Sequence, residues 1–391
     1  MDTSSILIPV VIIFGVVILL WRLKASNQDN DYSNTLLKVR KKRKGTIYAE
    51  PKSPANMVKE STAKKAPAIK EKPIEVPEVP EDFLSLELIH YLEFQRENET
   101  AKGFKNLRKP HPLLMSLSRS ITDAQELINI VKSDPELVAM VLNMANSPFF
   151  GLRKAITDIN HAVIYLGIAQ VKNLATQFAI SQSFAFESDS QKEAYERIWK
   201  TSFLASAMAL YLAREVDFEN PSELSTRCLL NYLGDITLLS MQPTAANFYL
   251  NGMPLFMRIK GMQSLFKTNA AVMGGIFGQH LKLPAELHQG IGLGYHPMKN
   301  NWDNVDITPE EKQNILFCYA VCRVAEYFVL EGDASYSKLP SIDYQVSHKP
   351  ELFNLIEQLE ACGLGSLNAL LQSPRGKMKL SQMLADLKKS V

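Results

Sequence analysis

Cysteine, tryptophan and histidine are scarce in this chain, at 4, 3 and 7 of 391 residues. Cys228, Cys318, Cys322 and Cys362 form no CxxC pair and no disulfide framework, which suits a reducing compartment. Cys318 and Cys322 share a helical face, where two small core residues are a better reading than half of a metal site. His90, His111, His161, His280, His288 and His348 are scattered without HxxxH or HxH spacing, so each is expected to be structural or exposed. The chain has no P-loop and no GxSxG. Gly274-Gly275-x-x-Gly278 falls within a helical stretch rather than after a strand, so it is not a dinucleotide loop. Its window is also too short and too polar, with Lys267 and Gln279, for a membrane helix contact. Alternating strand-like runs are few, and helix formers are plentiful. The composition predicts an all-α fold.

Charge is unevenly distributed. Residues 1–72 carry 14 Lys/Arg against 6 Asp/Glu, whereas the remainder is mildly acidic. That remainder is a poor surface for a phosphate backbone, and no nucleic acid is expected as a partner. Ile6 to Trp21 is almost wholly apolar, at the short end of the ~20 residues that a spanning helix needs. No basic residue precedes it and no small-x-small site follows, which favours an uncleaved anchor over a signal peptide. Residues 1–24 therefore read as a transmembrane anchor. Arg22, Lys24 and the later basic residues place the main domain on the cytoplasmic side of a bacterial inner membrane, in a single-pass topology. Lys38, Arg40, Lys41, Lys42, Arg43 and Lys44 form a basic run suited to anionic lipid. Residues 49–80 hold Pro51, Pro54, Pro67, Pro73, Pro77 and Pro80 among Lys, Glu and Ala. Such a segment buries too little apolar surface to offset its chain entropy, so residues 25–80 read as a basic segment and a disordered tether.

The most informative stretch is Asp134 to Gly167, DPELVAMVLNMANSPFFGLRKAITDINHAVIYLG. Asp134 is placed to cap a helix that starts at Pro135, with Leu137, Val138, Val141, Leu142 and Ala145 on one face. Asn146, Ser147 and Pro148 end it, and a second helix is expected from near Asp158 to Gly167. Asn143, Asn146 and Ser147 suit either a recognition surface or, preferably, helix termination with a bond to the next turn. The order DP-L-L-ANS-FG followed by I-I-A-LG resembles the HDOD domain, a bacterial signalling module related to HD-type metal-dependent phosphohydrolases. The likeness continues through Trp199, Leu229–Gly234, Leu283–Pro284 and His296–Pro297. In it Asp134, Pro135, Asn146, Ser147 and Gly167 are motif residues with mainly structural roles.

The resemblance implies a bilobed helical domain at 81–391. Its N-terminal lobe spans 81–185, and a degenerate HD-like lobe with C-terminal helices spans 186–391. Local patterns predict helices at 81–102, from His111 through Leu117, and after a Thr122/Gln125 capping box. Others are expected at Val171–Ile180, Lys192–Val216, Leu224–Leu239 and Gln263–His280. Thr308-Pro309-Glu310-Glu311 caps a helix to about 329, and two or three tail helices over 350–389 are expected to pack on the second lobe.

HD-type hydrolases hold one or two divalent ions through His and Asp, which polarise phosphoryl oxygen and activate water. On this chain the resemblance places Thr201 where the first His would stand after Trp199. Asn231 and Tyr232 replace the His-Asp doublet, Ala270 replaces a further His, and Tyr295-His296 replaces a His-His doublet. Only His296 retains a ligand side chain, and Asp235 is out of register to substitute. Asn and Tyr are poor ligands for a hard cation. The expectation is therefore no metal, no cofactor and no catalysis. The implied role is a signal-transduction output through contacts with an unidentified signalling protein at the inner membrane face. The alternatives are a nucleotide-binding sensor using the vestigial pocket, and a metal-dependent phosphohydrolase with unconventional ligands.

Overall fold

Side-chain caps at Asp123, Asp134, Asp158, Ser188, Asn269 and Thr308 set several of the helix starts. The computed structural model describes residues 80–91, 111, 113–117, 121, 123–152, 154–302, 305–331 and 350–390. All belong to one unit, Ile74–Val391. The predicted anchor, the basic run Lys38–Lys44 and the Pro-rich tether lie outside the described residues. Among the described residues there is no strand, and no helix is long and apolar enough to cross a membrane.

The first helices are α1 (Glu81–Leu84), α2 (Leu113–Leu117), α3 (Ala124–Lys132), α4 (Pro135–Ala145), α5 (Ile159–Leu166) and α6 (Ile168–Ser181). Asp134 Oδ1 accepts from the amides of Glu136 and Leu137 at 2.9 and 3.1 Å, and Asp158 Oδ2 accepts from His161 at 3.0 Å. These carboxylates satisfy amides that the first turn leaves without partners. α3 is capped by Asp123, which accepts from the Gln125 amide at 3.0 Å. The expected Thr122/Gln125 box is thus corrected to the neighbouring carboxylate, Thr122 being outside the described residues.

α7 (Asp189–Glu215) is the spine of the second lobe. A capping box of Ser188 and Gln191 starts it, and Gln191 Nε2 also reaches the Leu239 carbonyl at 2.8 Å. Leu204, Met208 and Leu212 on α7 are fully buried, and each such side chain contributes roughly 1.5–3 kcal/mol by leaving water. Around it lie α8 (Pro221–Leu230), α9 (Leu233–Met241), α10 (Asn247–Leu250), α11 (Leu255–Phe266), α12 (Ala270–His280), α13 (Ala285–Gly292), α14 (His296–Lys299) and α15 (Pro309–Glu326). One π-helical turn, Tyr327–Glu331, follows α15. The tail forms α16 (Leu355–Ala361), α17 (Gly365–Gln372) and α18 (Pro374–Ser390).

Several boundaries differ from expectation. The helix foreseen at 81–102 covers only α1; residues 86–90 are non-helical and 92–102 lie outside the described residues. The segment 80–91, assigned to the first lobe by sequence, bonds to α11 and to Lys299 of the second. The helix expected over Leu224–Leu239 is broken at Asn231 and Tyr232 into α8 and α9. The one expected over Gln263–His280 is broken at Lys267, whose φ of +56° is left-handed, and restarts where Asn269 caps the Val272 amide at 3.1 Å. Finally, α18 does not stay on the second lobe. It packs on the 3-10 turn Pro148–Phe150 as well as on α7, and Arg375 pairs with Glu215 at 2.6 Å.

Candidate functional site

The region to examine is the interior where α7, α8, α9, α12, α14 and α15 meet, because the HD-like ligand positions fall there. Thr201 is fully buried, and its hydroxyl donates to the Arg197 carbonyl one turn back at 2.7 Å. Arg197 in turn donates to the carbonyls of Leu250, Val329 and Leu330 at 2.8, 3.0 and 3.0 Å, closing two helix ends. Asn231 ends α8, and its side-chain oxygen stands 3.0 Å from where a Cβ on Gly294 would lie. Tyr232 turns inward and donates to the Cys322 carbonyl at 3.2 Å. Ala270 opens α12 directly against Gly234.

His296 is 3% exposed. One of its nitrogens lies 3.2 Å from Nδ1 of His90, and its ring centroid lies 5.7 Å from that of Trp302. Burial, reinforced by His90, pushes its pKa down to about 4, so it is neutral at ordinary pH. His90, one of the histidines expected to be scattered, thus pairs with His296 across the fold.

At the heart of the lobe is an ionic cluster that sequence reasoning missed. Glu326 accepts from Arg258 through one carboxylate oxygen and from Arg323 through the other, the second at 2.6 Å. All three side chains are at least 94% buried. Arg258 lies over the Tyr249 ring, 5.7 Å from its centroid, and Arg323 over the Tyr319 ring at 5.0 Å. Nε and Nη1 of both arginines make no hydrogen bond within the protein, so the ring faces are their main remaining support. Asp235 accepts from the Tyr249 hydroxyl at 2.9 Å. Burial pushes the Asp235 carboxyl up to about 6, against the opposing pull of Arg258. Tyr232 and Tyr295 both feel the charges of Asp235, Glu326 and Arg323, and burial raises both phenols. Of the six vestigial positions, these two converge on the cluster. Thr201, Asn231, Ala270 and His296 find partners elsewhere.

Signals for the cluster were present. On α11, Arg258 falls among Leu255, Ile259 and Met262, the buried face of that helix. On α15, Arg323 and Glu326 interrupt an apolar stretch from Ile315 to Leu330. Charged residues on an apolar helix face are rarely buried unless paired.

Two small cavities border the second lobe, the first of them lined also by α6 of the first lobe. One, of about 20 Å³, is bordered by Gln177, Trp199, Ser202 and Leu233; the other, of about 10 Å³, by Arg227, Asn231 and Cys318. Each has room for about one water. Cys228 lies within hydrogen-bonding reach of Cys318 and Cys322, and burial raises its thiol pKa well above the usual value, which leaves it inert. Among the described residues no group of three or more His, Cys, Asp or Glu is arranged to hold a metal ion.

The motif residues of the first lobe have structural contacts. Asn146 donates to the carbonyls of Leu142 and Ile156, both at 2.8 Å, and accepts from the Ile156 amide at 2.7 Å. Ser147 reaches only the Met144 sulfur, at 3.8 Å. Gly167, with φ +83°, joins α5 to α6 in a conformation suited to glycine.

Together these helices form an all-helical domain with an internally paired ionic centre. Residues 111–297 match the HDOD domain family. A Treponema pallidum (strain Nichols) protein, itself uncharacterized, is 23% identical over 237 residues, covering 58% of this chain and 43% of that protein. The chain thus spans less than half the length of that relative. Among solved structures, an HDOD domain protein of unknown function from Geobacter sulfurreducens is 15% identical, with 75% of this chain and 96% of that one covered at a TM-score of 0.48. A protein from Shewanella amazonensis SB2B, provisionally named a phosphohydrolase, is 17% identical, with 73% and 97% covered at a TM-score of 0.48. Arg323 and Glu326 lie beyond the family match, so the ionic centre is completed by residues outside it.

Proposed function

We infer that the chain is a non-catalytic signal-transduction protein that acts through contacts with other proteins. The observation that carries this reading is the Arg258–Glu326–Arg323 cluster beside Tyr232 and Tyr295. Two fixed guanidiniums already neutralise the buried carboxylate. A divalent ion brought to the same interior would meet their repulsion and find phenols and an amide in place of imidazole and carboxylate. The two small cavities favour this reading over a nucleotide sensor, since ligand pockets run to roughly 300–1,000 Å³. Residues 1–24 hold the domain at the inner face of a bacterial membrane, with the basic run against anionic lipid, and tethering raises its local concentration near membrane partners.

Metal analysis and a phosphodiesterase assay of the purified full chain test this reading. The expected result is no stoichiometric Mn, Fe or Zn and no turnover of nucleotides or cyclic dinucleotides. Bound metal together with hydrolysis that disappears on chelation would reverse it. Calorimetric titration with nucleotides, expected to give no heat of binding, separates the sensor alternative.

A further inference from the structure

Residues 80–91 precede the family match and cross the second lobe as a strap. Phe83, Leu86, Leu88 and Tyr91 are buried, whereas Leu84, Ser85 and Glu87 face outward. After the helical turn of α1, the stretch 86–90 is held through its backbone, as a bound peptide is. Gln263 reads its backbone twice, accepting from the Ile89 amide at 3.0 Å and donating to the Glu87 carbonyl at 2.7 Å. Asn269 donates to the Ile89 carbonyl at 3.0 Å. Phe83 meets Phe256 edge-on, with ring centroids 5.9 Å apart. Tyr91 lies where glycines leave room for its ring: a Cβ at Gly275 would stand 2.7 Å from it and one at Gly292 2.4 Å. Its hydroxyl is 3.1 Å from His288 Nδ1. The strap carries Glu81, Asp82 and Glu87 and no Lys or Arg. The groove answers with Lys260, 3.3 Å from Asp82, and with Lys299, which donates to the Phe83 and Leu84 carbonyls at 2.8 and 3.0 Å.

We propose that this groove is a peptide-binding site that the strap occupies in cis. Its ligand in trans is an acidic segment of a partner protein that, like residues 80–91, begins with a helical turn and runs on without helix, with two aromatic anchors spaced as Phe83 and Tyr91 are. Backbone pairing to Gln263, Asn269 and Lys299 supplies affinity without regard to sequence, while the glycine-floored slot selects the aromatic and Lys260 the acid. The strap lowers the apparent affinity by the fraction of molecules in which it is docked. The proposal rests on the protein-contact reading above and names the class of partner.

The probe is a fluorescent peptide with the sequence of residues 80–91, titrated into the full chain and followed by anisotropy. Phe83→Ala in the chain loosens the strap and leaves the groove intact, so the peptide should bind at least about tenfold more tightly than to the wild type. Adding Gln263→Ala should abolish that gain. Circular dichroism checks folding; should Phe83→Ala unfold the chain, Asp82→Lys, an exposed change that sets Lys against Lys260, gives the same comparison with a smaller gain. No binding to either loosened chain, equal binding of a scrambled peptide, or binding indifferent to Gln263→Ala would refute the proposal. None of these outcomes bears on metal content or hydrolysis, which judge the protein-contact reading separately.

Discussion

Gly234 is in backbone contact with Ala270: a Cβ built on Gly234 would stand 1.7 Å from the Ala270 carbonyl oxygen and 2.5 Å from the Gly274 amide. The partner atoms are backbone of the first turns of α12, so they cannot swing aside. Gly234→Ala should therefore force α9 from α12 and cost roughly 3 kcal/mol or more, in the range of severe overpacking. Urea unfolding followed by circular dichroism measures it. A change under about 0.5 kcal/mol, the range of an ordinary surface substitution, would contradict the close approach.

Asn146 imitates a strand of backbone for Ile156, giving one hydrogen bond and taking another. Asn146→Ala leaves the Ile156 amide and carbonyl without these partners, and should cost about 1–2 kcal/mol. Asn146→Asp retains an acceptor for the amide but sets a carboxylate against two carbonyls, so it should not restore stability. Thermal unfolding of the two variants beside the wild type distinguishes this structural role from a surface role, which would leave both near wild type.

Glu326 is shared by two buried guanidiniums. Glu326→Gln removes its charge and leaves Arg258 and Arg323 facing one another, which should cost roughly 3–5 kcal/mol. A variant that replaces all three by apolar residues of similar volume should recover much of that loss, because the desolvation cost disappears with the charges. Denaturant midpoints at matched slope read both outcomes.

Asp235 gives the lobe a pH dependence of defined sign. Its folded pKa of about 6 lies above the ordinary value of 3.8 because the carboxylate is desolvated. The folded state therefore binds the proton more tightly than the unfolded state does. This group's contribution is most favourable below pH 4 and declines as pH rises through 6, after which its cost is constant. Asp235→Asn, which keeps an acceptor for Tyr249, should flatten that portion of the stability profile. It should also add up to roughly 3 kcal/mol at pH 8, the free energy of a shift of this size. An unchanged slope between pH 4 and 6 would refute the assignment.

Much of the helix layout was legible because caps act within four residues. Asp134, Asp158 and Thr308 each announce a start in the local sequence, and each accepts from an amide of the helix that follows. The breaks at Asn231 and Lys267 were not legible. Asn231 keeps helical angles, with φ −57° and ψ −24°, so nothing in its type ends a helix. Lys267 adopts a left-handed turn that its side chain does not favour. The ionic centre escaped for a different reason. Arg258 and Glu326 are 68 residues apart, and only the tertiary fold brings them together. His90 and His296, 206 apart, pair through a strap that by pattern looked like the first turns of a long helix.

The strap also inverts the order in which load would reach the molecule. Along the chain, the residues after Tyr91 lead next to the first lobe. Tension arriving from the N-terminal side would meet the bonds at Lys260, Lys299 and Gln263 before anything in that lobe. The second lobe would feel a pull first, with the first lobe shielded until those bonds sheared.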